Sequence, residues 1–348
     1  MRVLVITTMR NEAPFVLEWL AYHQHIGVTD FLVYSNDCED GTDLLLDRLE
    51  VLGHVRHVRN HAGGKKSVQW RALSKAKNHP ATRDADWIYV TDVDEFLCIH
   101  VGQGHIADLM AACPDATGFA LPWRMFGNAG IKAFVDAPVL AQFTLAAPER
   151  LLWPWRAVQF KSLYKADPRY TKLGVHRPKL ADDADRGVWV DGNGHGLPAF
   201  PGTVLTKSGP RYGLAQINHY ALGAAESFLI KVARGKPNHD NDAIDLAYWS
   251  DRNLNDVEDT RILQHQAAVA TRVDTLKKDA EIARLHDSGV AWRKARIAQL
   301  MTQSDSFYMY ARLLQMPATK VLPMEQQRRL INALGDMRQA EMRRKKGV

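Results

Sequence analysis

The first 125 residues alternate short apolar runs with amphipathic segments. The runs are rich in β-branched and aromatic residues and predict strands, whereas the segments at 13–27, 41–53 and 67–79 place apolar residues at helical spacing and predict helices. Such alternation predicts a mostly parallel sheet covered by helices on both faces. Ligands of these sheets bind beyond the carboxyl ends of the strands. The predicted strands are RVLVITT, FLVYS, HVRHV and WIYVTDV.

The pattern changes in the second and third parts of the chain. Residues 121–220 combine strand-like runs with long stretches rich in Trp, Pro, Gly and His, and we expect functional loops there. Beyond residue 222 the spacing of apolar residues is helical almost throughout. The helices predicted in this part are 223–234, 242–249, 257–286, 290–303 and 323–344.

Composition narrows the class of protein only slightly. With 348 residues, 46% hydrophobic and 24% charged, the chain has ordinary globular usage, which argues against disorder. The formal net charge of +6 favours an anionic ligand. The final RRKKGV is interpreted as a solvated tail, with peripheral contact to an anionic membrane as the alternative. No nucleic-acid-binding motif is present, so we expect no nucleic-acid partner.

Cysteine usage and hydropathy predict a cytoplasmic protein. Cys38, Cys98 and Cys113 are odd in number and widely spaced, and they form neither a zinc-type pair nor a disulfide framework. No run approaches the roughly 18 apolar residues of a membrane helix. We therefore expect a soluble cytoplasmic protein, with peripheral association at the inner face of the membrane as the alternative.

The candidate chemistry lies at the end of the fourth predicted strand. WIYV is followed within five residues by Asp92, Asp94 and Glu95. Like charges this close repel, so the cluster requires a cation or a fixed positive group beside it. Carboxylate oxygens are the ligands that Mg²⁺ and Mn²⁺ prefer, with water and substrate phosphates completing the shell. The alternative is a pair of solvated loop carboxylates.

Three segments together carry a resemblance to a known family. They are TTMRNEAPFVLEWLAYHQHIGVTDFLVYSNDCEDGT, DWIYVTDVDEFL and INHYALGAAESFLIKVARGK. In this order and context they resemble family 2-like glycosyltransferases of the GT-A fold, in particular the bacterial branch related to family 92. The resemblance covers about 1–125 and returns at 214–236. The middle loops and the helical C-terminal part match no family pattern.

The resemblance implies a fold, an organisation and an activity. The fold is α/β, GT-A, Rossmann-like, with a mostly parallel sheet flanked by helices and an α-helical C-terminal extension. The glycosyltransferase domain is expected at 1–236, with its donor half at 1–125 and acceptor-side loops at 126–236, and the helical region at 237–348. The implied activity is a metal-dependent, inverting transfer from a nucleotide diphosphate sugar, UDP-type favoured, to a glycan or other hydroxyl acceptor. Enzymes of this kind serve surface polysaccharide assembly.

The resemblance also implies a site. Mn²⁺ or Mg²⁺ is expected at Asp92, Asp94 and His219, with Glu95 orienting the site or holding sugar hydroxyls. A lone histidine such as His219 is more often structural without the motif. Asn11 has an alternative as a helix cap, and Lys231 with Arg234 as a solvated basic helix end. The positions expected to bind the nucleotide-sugar are Thr8, Arg10, Asn11, Glu12, Asn36, Asp37, Lys66, Gln69, Asp92, Lys231, Arg234 and Lys236.

The catalytic base is the least determined part of the site. An inverting transfer needs a carboxylate that takes the proton of the acceptor hydroxyl. Asp191 in the loop-rich segment is the first candidate, and Asp183 and Asp182 are rivals. Residues that could assist or bind an acceptor are His176, His195, Trp153, Trp155 and Trp189, although burial is the commoner reason for a tryptophan. On the helix at 67–79, Trp70 and Leu73 are expected in the core.

Two other functions remain open from the sequence. A nucleotidyltransferase also pairs a βα nucleotide fold with carboxylates and a metal, but it needs a basic, glycine-rich signature near the first strand. The segment TTMRNEAPF has one arginine and no glycine, which counts against it. The third possibility is a non-catalytic module that binds an anionic ligand or a glycan.

Overall fold

The computed structural model describes residues 1–61, 67–202, 211–234 and 244–346. The helices in these ranges are α1 (Ala13–His25), α2 (Thr42–Val51), α3 (Val68–Ala76), α4 (Pro80–Arg83), α5 (Ile106–Ala112), α6 (Val139–Gln142), α7 (Ala225–Arg234), α8 (Leu246–Ser250), α9 (Gln266–Leu276), α10 (Ala280–Met301), α11 (Ser304–Leu314) and α12 (Met324–Lys346). The strands are β1 (Val3–Met9), β2 (Asp30–Ser35), β3 (Arg56–Arg59), β4 (Trp87–Val90), β5 (Glu95–Ile99), β6 (Gly118–Met125), β7 (Leu145–Ala146), β8 (Phe160–Lys165), β9 (Tyr170–Lys172), β10 (Lys179–Leu180), β11 (Trp189–Asp191), β12 (Ala215–His219) and β13 (Val257–Glu258).

Nine of the described strands form one mixed sheet. Its order is β3-β2-β1-β4-β8-β6-β12-β5, and β11 also pairs with β6. The pairings within β1 to β4 are parallel, as are those of β6 with β11 and β12. Strand β8 runs antiparallel between β4 and β6, and β5 runs antiparallel to β12. The predicted α/β class with a mostly parallel sheet is confirmed.

Alternate side chains of β1 point to opposite faces of the sheet. Val3 and Val5 belong to the larger apolar core, which contains the buried face of α1. Leu4 and Ile6 point to the other face and join a second core with Leu73 of α3. Because both faces are covered, the strand reads as a continuous apolar run rather than as an alternating one.

The C-terminal helices pack on the sheet domain. Helices α9 and α10 contact α1, α10 also contacts α2, and α11 contacts α7. Apolar residues of α7, α10 and α11 form a third core. The predicted boundary between 236 and 237 falls in a stretch outside the described residues. No helix in the described ranges has the length and apolar character needed to cross a membrane.

The predicted helical C-terminal part is confirmed, but several of its boundaries are wrong. The helix predicted at 257–286 is replaced by β13, a 3₁₀ turn at Arg261–His265 and α9. Helix α10 then runs without interruption through the predicted break near Gly289. A Cβ at Gly289 would lie 2.4 Å from the Cβ of Ala13, so this glycine permits close packing of α10 on α1 and does not end a helix. Helix α11 was not predicted.

Candidate active site

The parallel strands bring several predicted residues to one edge of the sheet. Strands β1, β2 and β4 are neighbours and run in the same direction. Thr8 lies near the carboxyl end of β1, Asn36 directly follows β2, and Asp92 follows β4. This is the edge at which ligands of parallel sheets bind.

Both oxygens of Asp92 have protein partners. Oδ1 accepts a hydrogen bond of 3.1 Å from Nε2 of Gln69, a predicted donor-site residue on α3. Oδ2 accepts one of 2.9 Å from Nζ of Lys161 on β8. Trp70 and Leu73 of α3 were both expected in the core. Leu73 is buried, but Trp70 is 43% exposed, so the prediction for Trp70 is wrong. Gln69, Ala72 and Leu73 occupy the inward face of α3, which turns Trp70 outward.

Glu95 is fully buried beside Asp92. Its Oε2 accepts hydrogen bonds from Oγ1 of Thr91 (2.9 Å) and from the backbone N–H of Asp92 (3.0 Å), and it lies 3.2 Å from Nζ of Lys161. Burial raises the pKa of Glu95 to about 8, and the neighbouring carboxylates act in the same direction. Glu95 is thus the carboxyl of the cluster that most readily keeps a proton.

A buried lysine neutralises this part of the cluster. Lys161 has no exposed side-chain surface and lies between Asp92 and Glu95. Burial alone would lower its pKa, but the two carboxylates raise the pKa of Lys161 above its usual value. Lys161 was not predicted as a site residue from the sequence. The signal was a lysine at an inward position of the otherwise apolar run FKSLY, where an unpaired charge is too costly to bury.

Asp94 is held by a second lysine. Its Oδ2 accepts a 2.9 Å hydrogen bond from Nζ of Lys231 on α7, and the same Nζ donates to the carbonyl of Ala221 at 2.7 Å. The backbone N–H of Tyr220 donates to the carbonyl of Asp94 at 2.8 Å, which fixes the end of β12 beside it. Although burial opposes ionisation, Lys231 lowers the pKa of Asp94 well below its usual value.

His219 approaches the other oxygen of Asp94. It is the last residue of β12, opposite Glu95 in the register with β5, and it is 5% exposed. Nε2 lies 3.7 Å from Oδ1 of Asp94, Nδ1 is buried without a partner, and the ring packs on Trp123 at 4.4 Å. Burial lowers the pKa of His219 to about 3, so the imidazole is neutral and keeps a lone pair for a metal ion.

The predicted metal ligands converge in part. Asp94 Oδ1 and His219 Nε2 are separated by 3.7 Å, which suits two ligands that each lie about 2.1 Å from one ion. Asp92 is turned to Gln69 and Lys161 instead. Within the described ranges, no three His, Cys, Asp or Glu side chains form a group that could hold an ion.

The segment after β1, which is expected to bind the nucleotide-sugar, contacts α7. Arg234 Nη1 donates to the carbonyl of Arg10 at 2.6 Å and forms an ion pair with Glu12. Asn11 does not cap α1, because its Oδ1 accepts from the backbone N–H of Glu39 at 2.8 Å. Lys231 and Arg234 extend from α7 to Asp94 and Glu12, two carboxylates of the predicted site.

The end of β2 is held rigidly by side chains. His57 lies between Asp47 and Ser35, with Nδ1 2.6 Å from the Asp47 carboxylate and Nε2 2.7 Å from the Ser35 hydroxyl. Ser35 is 2% exposed, which excludes it as an accessible nucleophile. The contacts instead fix the strand end from which Asn36 and Asp37 follow.

The remaining candidates are dispersed. Lys66 and Lys236 lie outside the described residues. Asp183 is exposed, and Asp191 is buried on β11, where Oδ1 accepts from the backbone N–H groups of Asn193 (2.9 Å) and His195 (3.0 Å). Strand β11 is separated from β4 by β6 and β8, so three strand spacings put Asp191 about 14 Å from the end of β4.

The histidine and tryptophan candidates lie in different parts of the structure. His176 packs on Trp123 at 5.4 Å, and burial and the nearby charge of Lys161 lower its pKa to about 4. His195 is exposed, and Trp189 is a core residue that is 2% exposed. Trp123, which the sequence analysis did not select, is thus the aromatic residue placed beside His219.

A family profile and the relatives found by sequence agree on one family. The sequence profile of glycosyltransferase family 92 matches residues 3–181. A family 92 protein of Ricinus communis is 29% identical over 160 residues, covering 41% of this chain and 26% of the relative. A family 92 protein of Oryza sativa subsp. japonica is 29% identical over 154 residues, covering 42% and 25%. The match therefore spans about a quarter of the length of these relatives.

Solved structures give weaker similarities. S. aureus TarS (1–349) in complex with UDP aligns with 48% of this chain and 47% of its own, at 15% identity and a TM-score of 0.28. Glucosyl-3-phosphoglycerate synthase from Mycobacterium tuberculosis, in complex with Mn²⁺, UDP and glucosyl-3-phosphoglycerate, aligns with 47% and 57%, at 16% identity and a TM-score of 0.26. These scores are too low to bear on the site.

Proposed function

The chain belongs to glycosyltransferase family 92, and from this membership we propose that it transfers a sugar from a nucleotide diphosphate sugar to a hydroxyl group of a glycan or other acceptor. A UDP-type donor is part of the proposal. The relatives named above are plant proteins, so the bacterial branch stays a prediction.

The observation that carries the proposal is the pairing of Asp94 with a neutral, buried His219 at the carboxyl edge of the sheet. We propose that these two residues hold Mn²⁺ or Mg²⁺, and that Asp92 joins them when its contacts with Gln69 and Lys161 rearrange. A bound ion of this kind would neutralise the charge that develops on the departing diphosphate.

The chain's own cations support the same chemistry. Lys231 and Arg234 project from one face of α7 toward the strand edge, where they lie beside Asp94 and Glu12. A diphosphate bound there would receive charge-assisted hydrogen bonds from these fixed groups. The proposed nucleoside contacts are made by Thr8, Asn11, Asn36 and Asp37, which follow the adjacent parallel strands.

The proposal includes inversion at the anomeric carbon, which requires one base for the acceptor hydroxyl. Asp191 and Asp183 stay sequence-based predictions for that base. The hydrogen bonds of Asp191 to two backbone amides favour a structural role in the 191–195 loop. Glu95 is proposed to orient Asp92, since its carboxyl accepts from the backbone of that residue.

The cellular setting is also proposed. The acceptor would belong to surface polysaccharide assembly on the cytoplasmic side, with the basic residues from 343 onward touching an anionic membrane surface. Co-sedimentation with vesicles containing anionic lipid, compared with neutral vesicles, tests the membrane contact.

Metal-linked nucleotide binding tests the proposal directly. In calorimetric titrations, UDP should bind at least tenfold more tightly with Mn²⁺ than with EDTA. Asp94→Asn and His219→Gln should each lose this gain, whereas Asp287→Asn, an exposed carboxylate on α10, should retain it. UDP affinity that is equal with and without Mn²⁺ in the parent protein would contradict the assignment of the metal site.

A further inference from the structure

A cavity opens beside Asp94 on the side of the sheet covered by α1, α7 and α10. It encloses about 790 Å³ of empty space, part of which is open solvent at its mouth. Its wall is mostly apolar. The apolar side chains that carry the argument are Phe15, Phe134, Val139, Phe143, Tyr220 and Ile230.

The polar lining of the cavity contains more positive than negative charge. Its two carboxylates, Asp94 and Glu12, already pair with Lys231 and Arg234. Arg293 of α10 also lines the cavity, and it is 6% exposed. Three cationic side chains therefore face two anionic ones.

Arg293 lacks a polar partner of its own. It makes no hydrogen bond or ion pair with any described residue, and its Nε is enclosed without a partner. The guanidinium lies over the rings of Phe15 and Phe134, at 4.7 Å and 5.2 Å from their centroids. Burial lowers the pKa of Arg293 to about 10, so the group stays charged at neutral pH.

The aromatic contacts do not balance the burial of this charge. A cation–π contact contributes about 0.5 to 2 kcal/mol. Burying a charge without a hydrogen-bonded partner costs several kcal/mol. Glu12 and Asp40 attract the guanidinium and raise its pKa, but neither forms a hydrogen bond with it. An anionic group that enters the cavity would supply the hydrogen-bonded partner that Arg293 lacks.

We infer that this cavity binds the acceptor, and that the acceptor is an amphiphile whose phosphate or carboxylate pairs with Arg293 while its acyl or aryl part fills the apolar wall. The identification of this ligand as the acceptor rests on the proposed function, since it depends on sugar transfer taking place beside Asp94, which lines the cavity. The anionic group and the apolar part are required by Arg293 and by the aromatic wall.

The probes are octyl phosphate and the uncharged octyl glucoside, each titrated below its micellar concentration. The parent protein should bind octyl phosphate at least tenfold more tightly than octyl glucoside. Arg293→Gln should abolish that preference, and Arg293→Lys should restore part of it. Arg284→Gln is the matched control, because Arg284 lies on the same helix, is 61% exposed and pairs with Glu281. It should behave as the parent.

A second variant keeps the inference falsifiable if Arg293→Gln does not fold. Val135 lines the cavity and is 50% exposed, so Val135→Glu adds a negative charge at the mouth with little effect on packing. It should weaken octyl phosphate binding at least fivefold and leave octyl glucoside unchanged. Equal binding of the two probes by the parent, or octyl phosphate binding that Val135→Glu does not alter, overturns the inference.

Titration of UDP with Mn²⁺ into the same samples separates the two proposals. Arg293-dependent binding of octyl phosphate in a protein that binds no UDP would support the cavity assignment and contradict the proposed function. Displacement of octyl phosphate by UDP would place the nucleotide in the cavity and overturn the assignment to an acceptor.

Discussion

Lys161 offers the sharpest test of how the carboxylate cluster is stabilised. Its ammonium group is fully buried, 2.9 Å from Asp92 and 3.2 Å from Glu95. Lys161→Met keeps the length of the side chain and removes the charge, so the volume change is small. Breaking a buried ion pair by removing one partner costs about 3 to 5 kcal/mol. Because Asp92 is 33% exposed and can regain water, we expect about 3 kcal/mol.

A double variant isolates the electrostatic part of that loss. Glu95→Gln removes the buried carboxyl, so Lys161→Met combined with Glu95→Gln should be about 1 to 2 kcal/mol more stable than the sum of the single changes predicts. The assay is urea unfolding at pH 9, where Glu95, with a pKa of about 8, is ionised, and unfolding is followed by circular dichroism. Lys165→Met on the same strand is the control, since Lys165 is exposed and its ammonium group lies 5.8 Å from the centroid of the Trp87 ring, away from the carboxylates.

The control should lose less than about 1 kcal/mol, as for a surface substitution. A loss for Lys161→Met as small as that of Lys165→Met would refute the conclusion that this lysine neutralises the cluster. Strict additivity of Lys161→Met and Glu95→Gln would refute the pairing of these two residues.

Two further predictions concern the supports of the site. Glu18 accepts hydrogen bonds from the backbone N–H groups of Val139 and Leu140 at the start of α6, and burial raises its pKa to about 7. Since this value lies above the unfolded-state pKa near 4.3, the resulting stability is complete at pH 4 and is lost as the pH rises through 7. The parent should therefore lose up to about 3 kcal/mol more than Glu18→Gln between pH 4 and 8 in unfolding titrations, and parallel curves would contradict this. Gly289→Ala should destabilise the protein by about 1 to 3 kcal/mol, because the new methyl group would clash with Ala13. Gly335→Ala is the control and should be neutral or stabilising, since a Cβ at Gly335 would have no atom within 4 Å. Equal melting temperatures for the two variants would contradict the close packing of α10 on α1.

Local patterns predicted the fold of residues 1–92 well. Each apolar run before residue 93 forms a strand and each amphipathic segment between the runs forms a helix, because their apolar residues are buried on nearby elements. The insertion of β8 between β4 and β6 could not be predicted in this way. Its partners are more than 35 residues away in sequence, and no local pattern specifies an antiparallel strand at that position.

The site was predictable where side chains follow strand ends and less so where distant elements supply them. Asp92, Asp94 and His219 could be selected as candidates because motifs at strand ends carry them, and the structure brings Asp94 and His219 together. Lys161 and Arg293 were missed because each appears in sequence as a single charge within an ordinary strand or helix. Their roles depend on their neighbours in the fold, which are two carboxylates for Lys161 and a cavity for Arg293.

The glycine near the end of a predicted helix shows the same limit. Gly289 lies in the gap between the helices predicted at 257–286 and 290–303, and glycine weakens helices. In the structure it is buried in α10 against Ala13, the first residue of α1. Tertiary packing outweighs the propensity there, and the close approach brings Arg293 to the cavity.

The central claim is that this chain transfers sugar from a nucleotide diphosphate sugar through a site containing Asp94. The most direct measurement is UDP release from a panel of UDP-sugars with Mn²⁺ and a mixture of hydroxyl acceptors, for the parent protein and Asp94→Asn. We predict Mn²⁺-dependent release from at least one donor by the parent. We also predict a rate at least 100-fold lower for Asp94→Asn, about 3 kcal/mol of transition-state stabilisation, in a variant that circular dichroism shows to be folded. Equal rates for the two proteins would contradict the claim.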